Sequence, residues 1–333
     1  MFLSSSANCF YVGNRNGVKG EISVIEEALI VGVFASGVRM SIPILFAALG
    51  ENIAERSGVL NLGVEGMMLL GAFSGFMGTY LTGNIVVGLL MAMGGAAALA
   101  TLMAFLSVSI RTNQLAAGLA VWLLGVGLAA LLYRLSFGVV TIAPSIHSFN
   151  PVEIPFLSQI PFAGPVLFNH DPMIYLALLM IPITHIFLFK TNLGLKIRTV
   201  GENPKQADTL GVNVYRIRYL AIIIGGAFAG LGGAYLSLVI TGSFSENITG
   251  GQGWIALAVV IFGRWRPLGI VIGALIFGMV NAFQLGLQST GTTIPFQFLL
   301  MLPYLLPIAI LAATYKRSLA PAALAVPYTR GER

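Results

Sequence analysis

Charged residues are scarce in this sequence of 333 residues. Asp, Glu, Lys and Arg make up 9% of the chain, whereas a soluble domain carries about a quarter. Apolar residues make up 57%, and the mean hydropathy is +0.89. These values exclude an ordinary soluble globular protein and predict a chain that crosses a membrane several times.

Residues that bind metals or carry catalysis are also few. The single cysteine, Cys9, excludes an intrachain disulfide and a thiolate metal cluster. The three histidines, His147, His170 and His185, are scattered without a nearby carboxylate pair, so we expect no metal site. The motifs GxxxxGK[ST], HExxH and GxSxG are absent. We therefore expect no catalytic residues and no cofactor bound by this chain, and any ATP hydrolysis would need a separate subunit.

Long apolar runs recur along the chain. A helix needs about 20 apolar residues to cross a bilayer core of about 30 Å. The sequence therefore predicts an all-α polytopic membrane protein with about nine crossings, in a range of about 8 to 10. The predicted crossings cover residues 28–50, 59–80, 85–110, 115–134, 172–189, 220–240, 253–263, 267–287 and 295–315. Residues 1–22 are predicted to be a disordered N-terminal extension, residues 23–316 the transmembrane domain, and residues 317–333 a tail.

The distribution of basic residues predicts the orientation. Six of the 18 lysines and arginines lie in the connection 190–218, whereas the loops 137–170, 241–252 and 288–294 have none. Basic residues are retained on the cytoplasmic side. We therefore expect loop 190–218 and the C-terminus in the cytoplasm and the N-terminus outside. The same asymmetry accounts for the net charge of +6 without a nucleic-acid partner.

A short polar segment in this basic loop, VGENPKQADTLGV, carries a complete set of helix signals. Asn203 is a favourable N-cap, Pro204 suits the first helical position, and Gly211 can adopt the left-handed conformation after the last turn. The pattern predicts a helix over residues 204–210. Because an isolated helix of about two turns is marginal in water, it must pack on its own protein, on lipid headgroups or on a cytoplasmic partner.

Polar residues inside apolar runs are costly and are therefore candidates for function. The candidates for a polar path across the membrane are Asn61, Glu65, Gln252, Asn281 and Gln284. Arg39 lies deep enough in the first span to pair with Glu65, so this carboxylate is interpreted either as half of a structural ion pair or as a substrate contact. Asn281, Gln284 and Gln288 share one helix face, which would either line a polar path or hold two helices together.

Two similar glycine-containing segments, GVEG at 63–66 and GGQG at 250–253, each precede an apolar run. The run 253–263 would span only about 16 Å as a helix, roughly half a bilayer, so it predicts an interrupted helix with the GGQG loop inside the membrane. In an inverted internal repeat, two such segments would enter the membrane from opposite sides. Chance similarity in a chain with 40 glycines is the competing explanation.

Three longer motifs resemble a known family. They are ERSGVLNLGVEGMMLLGAF (55–73), KIRTVGENPKQADTLGVNV (196–214) and FGRWRPLGIVIGALIFG (262–278). Together they resemble the permease subunits of ABC importers of the ribose and branched-chain amino acid type. The pattern SGVLNLGVEGM is most similar to the nucleoside importers that work with basic-membrane-protein-type lipoproteins. The resemblance extends over nearly the whole chain after residue 28.

The resemblance implies a transport subunit of the inner (plasma) membrane rather than an enzyme. Helix 204–210 would be the coupling helix, and its ATPase contacts would be Asn203, Pro204, Gln206, Ala207, Asp208 and Gly211. A partner ATPase would bind ATP and Mg²⁺, and a second permease subunit, related or identical, would complete the pathway. An extracytoplasmic binding protein or lipoprotein would deliver a nucleoside or a related sugar-containing solute. The competing hypothesis is an ion-coupled secondary transporter in which Glu65 titrates or coordinates the ion.

Overall fold

The computed structural model describes residues 15–138, 144–146, 148, 152–153, 164–289, 295, 297–303, 305, 309 and 319–330. Among these residues, six helical segments are long and apolar enough to cross a bilayer. They are Val31–Arg56, Ile85–Ser109, Gln114–Phe137, Pro172–Lys190, Val214–Ile240 and Pro267–Gln288. The predicted class, an all-α polytopic membrane protein, is therefore confirmed.

The named elements follow one another in a simple order. The helices are α1 (Arg15–Arg56), α2 (Val64–Thr82), α3 (Ile85–Ala104), α4 (Gln114–Phe137), α5 (Pro172–Lys190), α6 (Asn192–Glu202), α7 (Pro204–Thr209), α8 (Val214–Tyr235), α9 (Gln252–Phe262) and α10 (Pro267–Ser289). Strands β1 (Val152–Glu153) and β2 (Asn169–His170) form an antiparallel pair in which Val152 faces His170. π-helical turns occupy Phe105–Ser109, Gly164–Phe168 and Leu236–Ile240.

Helix α1 begins before the first predicted span. Residues 15–22 were assigned from the sequence to a disordered extension, but their backbone is helical and continuous with the apolar run that follows. Good helix formers such as Glu26, Glu27 and Ala28 link the two parts. Residues 1–14 lie outside the described residues.

The short helix α9 agrees with the sequence. Its 11 residues, Gln252–Phe262, match the predicted interrupted helix to within one residue at each end. Of the last predicted crossing, 295–315, residues 297–303 are helical, whereas residues 306–308, including Pro307, and 310–315 lie outside the described part of the chain.

Glycines allow the core helices α2, α3 and α8 to pack with their backbones in contact. A Cβ at Gly233 of α8 would overlap the carbonyl oxygen of Met68 on α2. A Cβ at Gly230 would overlap the carbonyl oxygen of Ala92 on α3. Small residues at helix crossings allow this close approach in membranes, where van der Waals packing drives helix association.

Candidate functional site

The GGQG segment at the start of α9 is held by a carboxylate of α2. Glu65 accepts hydrogen bonds from the backbone N–H groups of Gly251, at 2.9 Å, and Gly253, at 2.6 Å. It also accepts one from the hydroxyl group of Thr249, at 2.6 Å. The first N–H groups of a helix have no partner within the helix and carry partial positive charge, so they suit a carboxylate. Glu65, which is buried, therefore anchors the entrance of α9.

The predicted ion pair between Arg39 and Glu65 is wrong. Within the described residues, Arg39 forms no ion pair with Glu65, and its side chain is exposed. The backbone N–H groups at the start of α9 donate hydrogen bonds to the carboxylate in place of Arg39. Arg39 lies within electrostatic range of His170, a buried residue whose pKa is lowered by burial and further by the charge of Arg39.

Asn61, predicted to line the polar path, lies instead in the turn between α1 and α2. Its side-chain carbonyl accepts a hydrogen bond from the N–H of Gly63 at 3.1 Å, and its own N–H donates to Glu51 at 3.0 Å. The residue is fully buried. An Asn side chain that bonds to the backbone two residues onward stabilises a turn, so Asn61 has a structural role here.

The other three path candidates meet at one cavity. Gln252, Asn281 and Gln284 line a space of about 180 Å³ between α1, α9 and α10. The side-chain oxygen of Gln252 is buried and has no hydrogen-bond partner among the described residues. An unsatisfied buried acceptor is costly. The polar face predicted on α10 therefore contributes Asn281 and Gln284 to an uncharged cavity whose lining also includes apolar residues such as Met40, Ile255 and Leu300.

Helix α7 follows its predicted signals closely. The side-chain oxygen of Asn203 accepts a hydrogen bond from the N–H of Gln206 at 3.1 Å, Pro204 is the first helical residue, and Gly211 has φ of +82°. Ala207 is buried in a cluster of apolar residues from α6 and α8, whereas Leu210 at the end of the helix is 81% exposed. The helix thus packs on its own protein through one side and presents Leu210 on the other.

The C-terminal segment, residues 319–330, crosses this region and packs against α6 and α7. The N–H of Ala323 donates a hydrogen bond to the carbonyl oxygen of Gly201 at 2.9 Å. Arg330 forms an ion pair with Asp208 of α7, with 3.1 Å between Nε and Oδ2. The sequence predicted a cytoplasmic tail here and gave no signal that the tail packs on α7.

Arg218 of α8 links the C-terminal segment to the end of α1. Its guanidinium group donates hydrogen bonds to the carbonyl oxygens of Ser57, at 3.3 Å, and Val326, at 3.1 Å. The side chain is 1% exposed. A buried guanidinium needs several acceptors, and the C-terminal segment supplies one of them.

Sequence reasoning missed a buried polar cluster at the end of α1. Glu51 accepts the hydrogen bond from Asn61, and Glu55 accepts one from the indole N–H of Trp265. Arg56 donates two hydrogen bonds to the carbonyl oxygen of Trp265, at 2.8 and 3.1 Å. The available signal was the spacing of Glu51 and Glu55, because carboxylates four residues apart share one helix face. This cluster fixes the turn between α9 and α10.

A comparison with known families decides the class of protein. Residues 33–311 match the family described as "Branched-chain amino acid transport system / permease component". The chain belongs to this permease family. The resemblance found in the three sequence motifs is thereby confirmed, and the permease is a membrane transport subunit rather than an enzyme.

Individual relatives of the permease are named for different solutes. The Haloferax volcanii permease protein TsgC13, named for a glucose ABC transporter, is 44% identical over 262 residues, 78% of each chain. The guanosine ABC transporter permease protein NupQ of Bacillus subtilis is 36% identical over 302 residues, 87% of this chain and 94% of its own. The nucleoside ABC transporter permease protein NupC of Lactococcus lactis is 35% identical over 303 residues, 88% and 95% of the two chains.

Proposed function

We propose that this permease carries nucleosides into the cytoplasm as part of an ATP-driven importer. The observation that carries the proposal is the cavity of Gln252, Asn281 and Gln284. Amide groups donate and accept hydrogen bonds without carrying charge, which suits the base and ribose of a neutral nucleoside. The relatives named for guanosine and nucleosides match almost their whole length, whereas the relative named for glucose makes a sugar the competing solute.

A second permease subunit would complete the pathway. Ligand pockets usually enclose about 300–1,000 Å³, whereas the cavity of this chain holds about 180 Å³. We infer that a second permease, related to this chain or identical to it, supplies the opposite wall. A binding protein or lipoprotein would deliver the nucleoside from the outer side.

Coupling to ATP would use helix α7. Its exposed Leu210 offers an apolar contact at the end of a helix fixed by Asn203 and by the burial of Ala207. We infer that a partner ATPase, which binds ATP and Mg²⁺, receives this helix. Residues Asn203, Pro204, Gln206, Asp208 and Gly211 would surround the contact.

The proposed topology has about nine crossings, with the C-terminus in the cytoplasm and the N-terminus outside. Contact between the two glycine-containing segments supports an inverted repeat, because a Cβ at Gly253 would lie 2.6 Å from the Cα of Glu65. The N-terminal ends of α2 and α9 therefore meet at Glu65. Transporters with inverted repeats bring interrupted helices together in this way near the membrane midplane.

The competing hypothesis of an ion-coupled transporter loses its main support. It required Glu65 to titrate or to coordinate the ion. The carboxylate instead accepts hydrogen bonds from two backbone N–H groups and a hydroxyl group. These three hydrogen bonds give the carboxylate a role at the start of α9 that needs no coupling ion.

Uptake of labelled guanosine tests the proposal. Cells that lack this chain should lose uptake, and wild-type uptake should resist an uncoupler that collapses ion gradients while cellular ATP is maintained. Gln252→Ala and Asn281→Ala should each reduce uptake, whereas Gln288→Ala, an exposed position of the same helix as Asn281, serves as the control. Unchanged guanosine uptake in the deletion strain would indicate a sugar, and collapse under the uncoupler would restore the ion-coupled hypothesis.

A further inference from the structure

A second, larger cleft lies between the end of α5 and the turn that joins α9 to α10. It has a volume of about 510 Å³. Arg264, Arg266, His185, Phe189 and Leu268 contribute to its lining. Its walls thus combine positive charge with apolar surface, a combination that suits an anionic amphiphile.

Positive charge is concentrated around the ring of Phe189. The guanidinium group of Arg198 lies 5.0 Å from the ring centroid and that of Arg56 lies 5.9 Å from it. Arg56 also lies within electrostatic range of Arg198 and Arg266, with Glu202 as a carboxylate nearby. Like charges this close repel one another. A bound anion would offset the repulsion.

Several of these donors have no protein acceptor. Within the described part of the chain, neither Arg264 nor Arg266 forms an ion pair. Both side chains are exposed and line the cleft. Phosphate oxygens accept several charge-assisted hydrogen bonds from guanidinium groups, so phosphate matches this set of donors.

The turn that carries two of the arginines is strained. Arg264 and Trp265 are consecutive non-glycine residues with φ of +54° and +55°, a left-handed conformation that is sterically strained for residues with a Cβ. Trp265 is buried and is bound by Glu55 and Arg56. The buried indole therefore holds the turn in a shape that leaves Arg264 and Arg266 exposed at the cleft.

The surface beside the cleft is apolar. Apolar side chains of α5 and α10 are exposed there, including Ile186 at 53%, Leu268 at 66% and Ile272 at 61%. Both helices belong to segments apolar enough to cross a bilayer. A soluble anion would make no use of this apolar border. A phospholipid would place its phosphate among the arginines and its acyl chains along the two helices.

We propose that this cleft is a binding site for an anionic phospholipid of the adjacent membrane leaflet. Arg264 and Arg266 bind the phosphate, Arg198 adds positive charge beside Phe189, and Phe189 and Leu268 contact the apolar part of the lipid. Basic pockets between membrane helices have the chemistry to bind such headgroups. The site lies apart from the cavity of Gln252, so its test does not depend on which solute is transported.

Native mass spectrometry of the full-length chain tests the site. The purified chain, bound to phosphatidylglycerol or to phosphatidylcholine with the same acyl chains, is released from detergent micelles in the mass spectrometer. We expect phosphatidylglycerol to be retained about tenfold more strongly, and Arg264→Gln/Arg266→Gln to remove this preference. The matched control, Lys205→Gln/Arg216→Gln, removes the same charge at exposed positions and should retain the preference.

A further variant and a competition experiment distinguish a lipid site from a site for a soluble anion or a protein. Arg198→Gln leaves the strained turn intact and should weaken retention several-fold, so the test survives if the double variant misfolds. Equal retention of both lipids by the wild type, or an unchanged preference in both variants, would overturn the proposal. Competition by inorganic phosphate at equal concentration would identify a soluble anion instead. Normal lipid retention in the double variant combined with lost copurification of the ATPase would identify a protein contact.

Discussion

Replacement of Glu65 should release the start of α9. In Glu65→Ala, the N–H groups of Gly251 and Gly253 lose their acceptor while they remain inside the protein. An unsatisfied buried donor costs about 1–3 kcal/mol; Gly253 is buried whereas Gly251 is only partly buried, so we expect the fold to lose at least about 1–3 kcal/mol. Glu65→Gln keeps one acceptor oxygen but turns an amide NH₂ toward a donor, so we expect an intermediate loss.

The assay is thermal unfolding of the detergent-purified chain, followed by tryptophan fluorescence. Trp254 lies within α9 and contacts Trp122 with 5.4 Å between ring centroids, so it reports on this region. Arg39→Gln is the control and should unfold at the wild-type temperature. If Arg39→Gln is as unstable as Glu65→Ala, or if the charge-exchanged variant Arg39→Glu/Glu65→Arg restores stability, the residues form an ion pair and the present reasoning fails.

Three other predictions concern separate parts of the molecule. Leu210→Glu, at an exposed position, should change the stability of the chain by no more than about 0.5 kcal/mol but should reduce ATP hydrolysis by the assembled transporter about tenfold. Unchanged hydrolysis would exclude Leu210 as a contact with the ATPase. Gly233→Ala forces a methyl group against Met68 and should lower the free energy of unfolding by at least about 1–3 kcal/mol. In the control Gly127→Ala, the methyl group meets open space, so the change should be neutral or slightly stabilising. Equal effects of the two variants on thermal unfolding would contradict the packing argument. Burial lowers the pKa of His170 below its ordinary 6.5, so the unfolded chain binds more protons than the folded chain as pH falls from about 7 to 5, and stability should decrease over that interval. In a series of unfolding temperatures measured at different pH values, His170→Gln should remove this dependence. An unaltered dependence would assign it to another group.

Features encoded by neighbouring residues were predictable from the sequence. The N-cap at Asn203, the first helical position of Pro204 and the left-handed Gly211 define α7 within about ten residues, and backbone geometry alone gives each its role. The short α9 was predictable because the length of an apolar run compares directly with the thickness of a bilayer. The polar residues of α10 were predictable as a face because helical periodicity determines which positions share one side.

Features that depend on distant contacts were not predictable. The hydroxyl group that bonds to Glu65 belongs to a residue 184 positions away, and hydropathy cannot distinguish this donor from Arg39. Glu55 and its partner Trp265 are 210 positions apart, so neither local sequence carries a signal of the other. A single charged residue in an apolar run indicates that a partner is needed, but not which element provides it.

The C-terminal segment has a consequence for how the chain matures. Residues 319–330 leave the ribosome after every helix that they bind, yet they supply the ion-pair partner of Asp208 and an acceptor for Arg218. The surface around α7 is therefore completed only after residues 319–330 have been synthesised. A chain interrupted before residue 319 would contain all the described membrane helices but would leave Arg218 with one fewer acceptor and α7 without its ionic support.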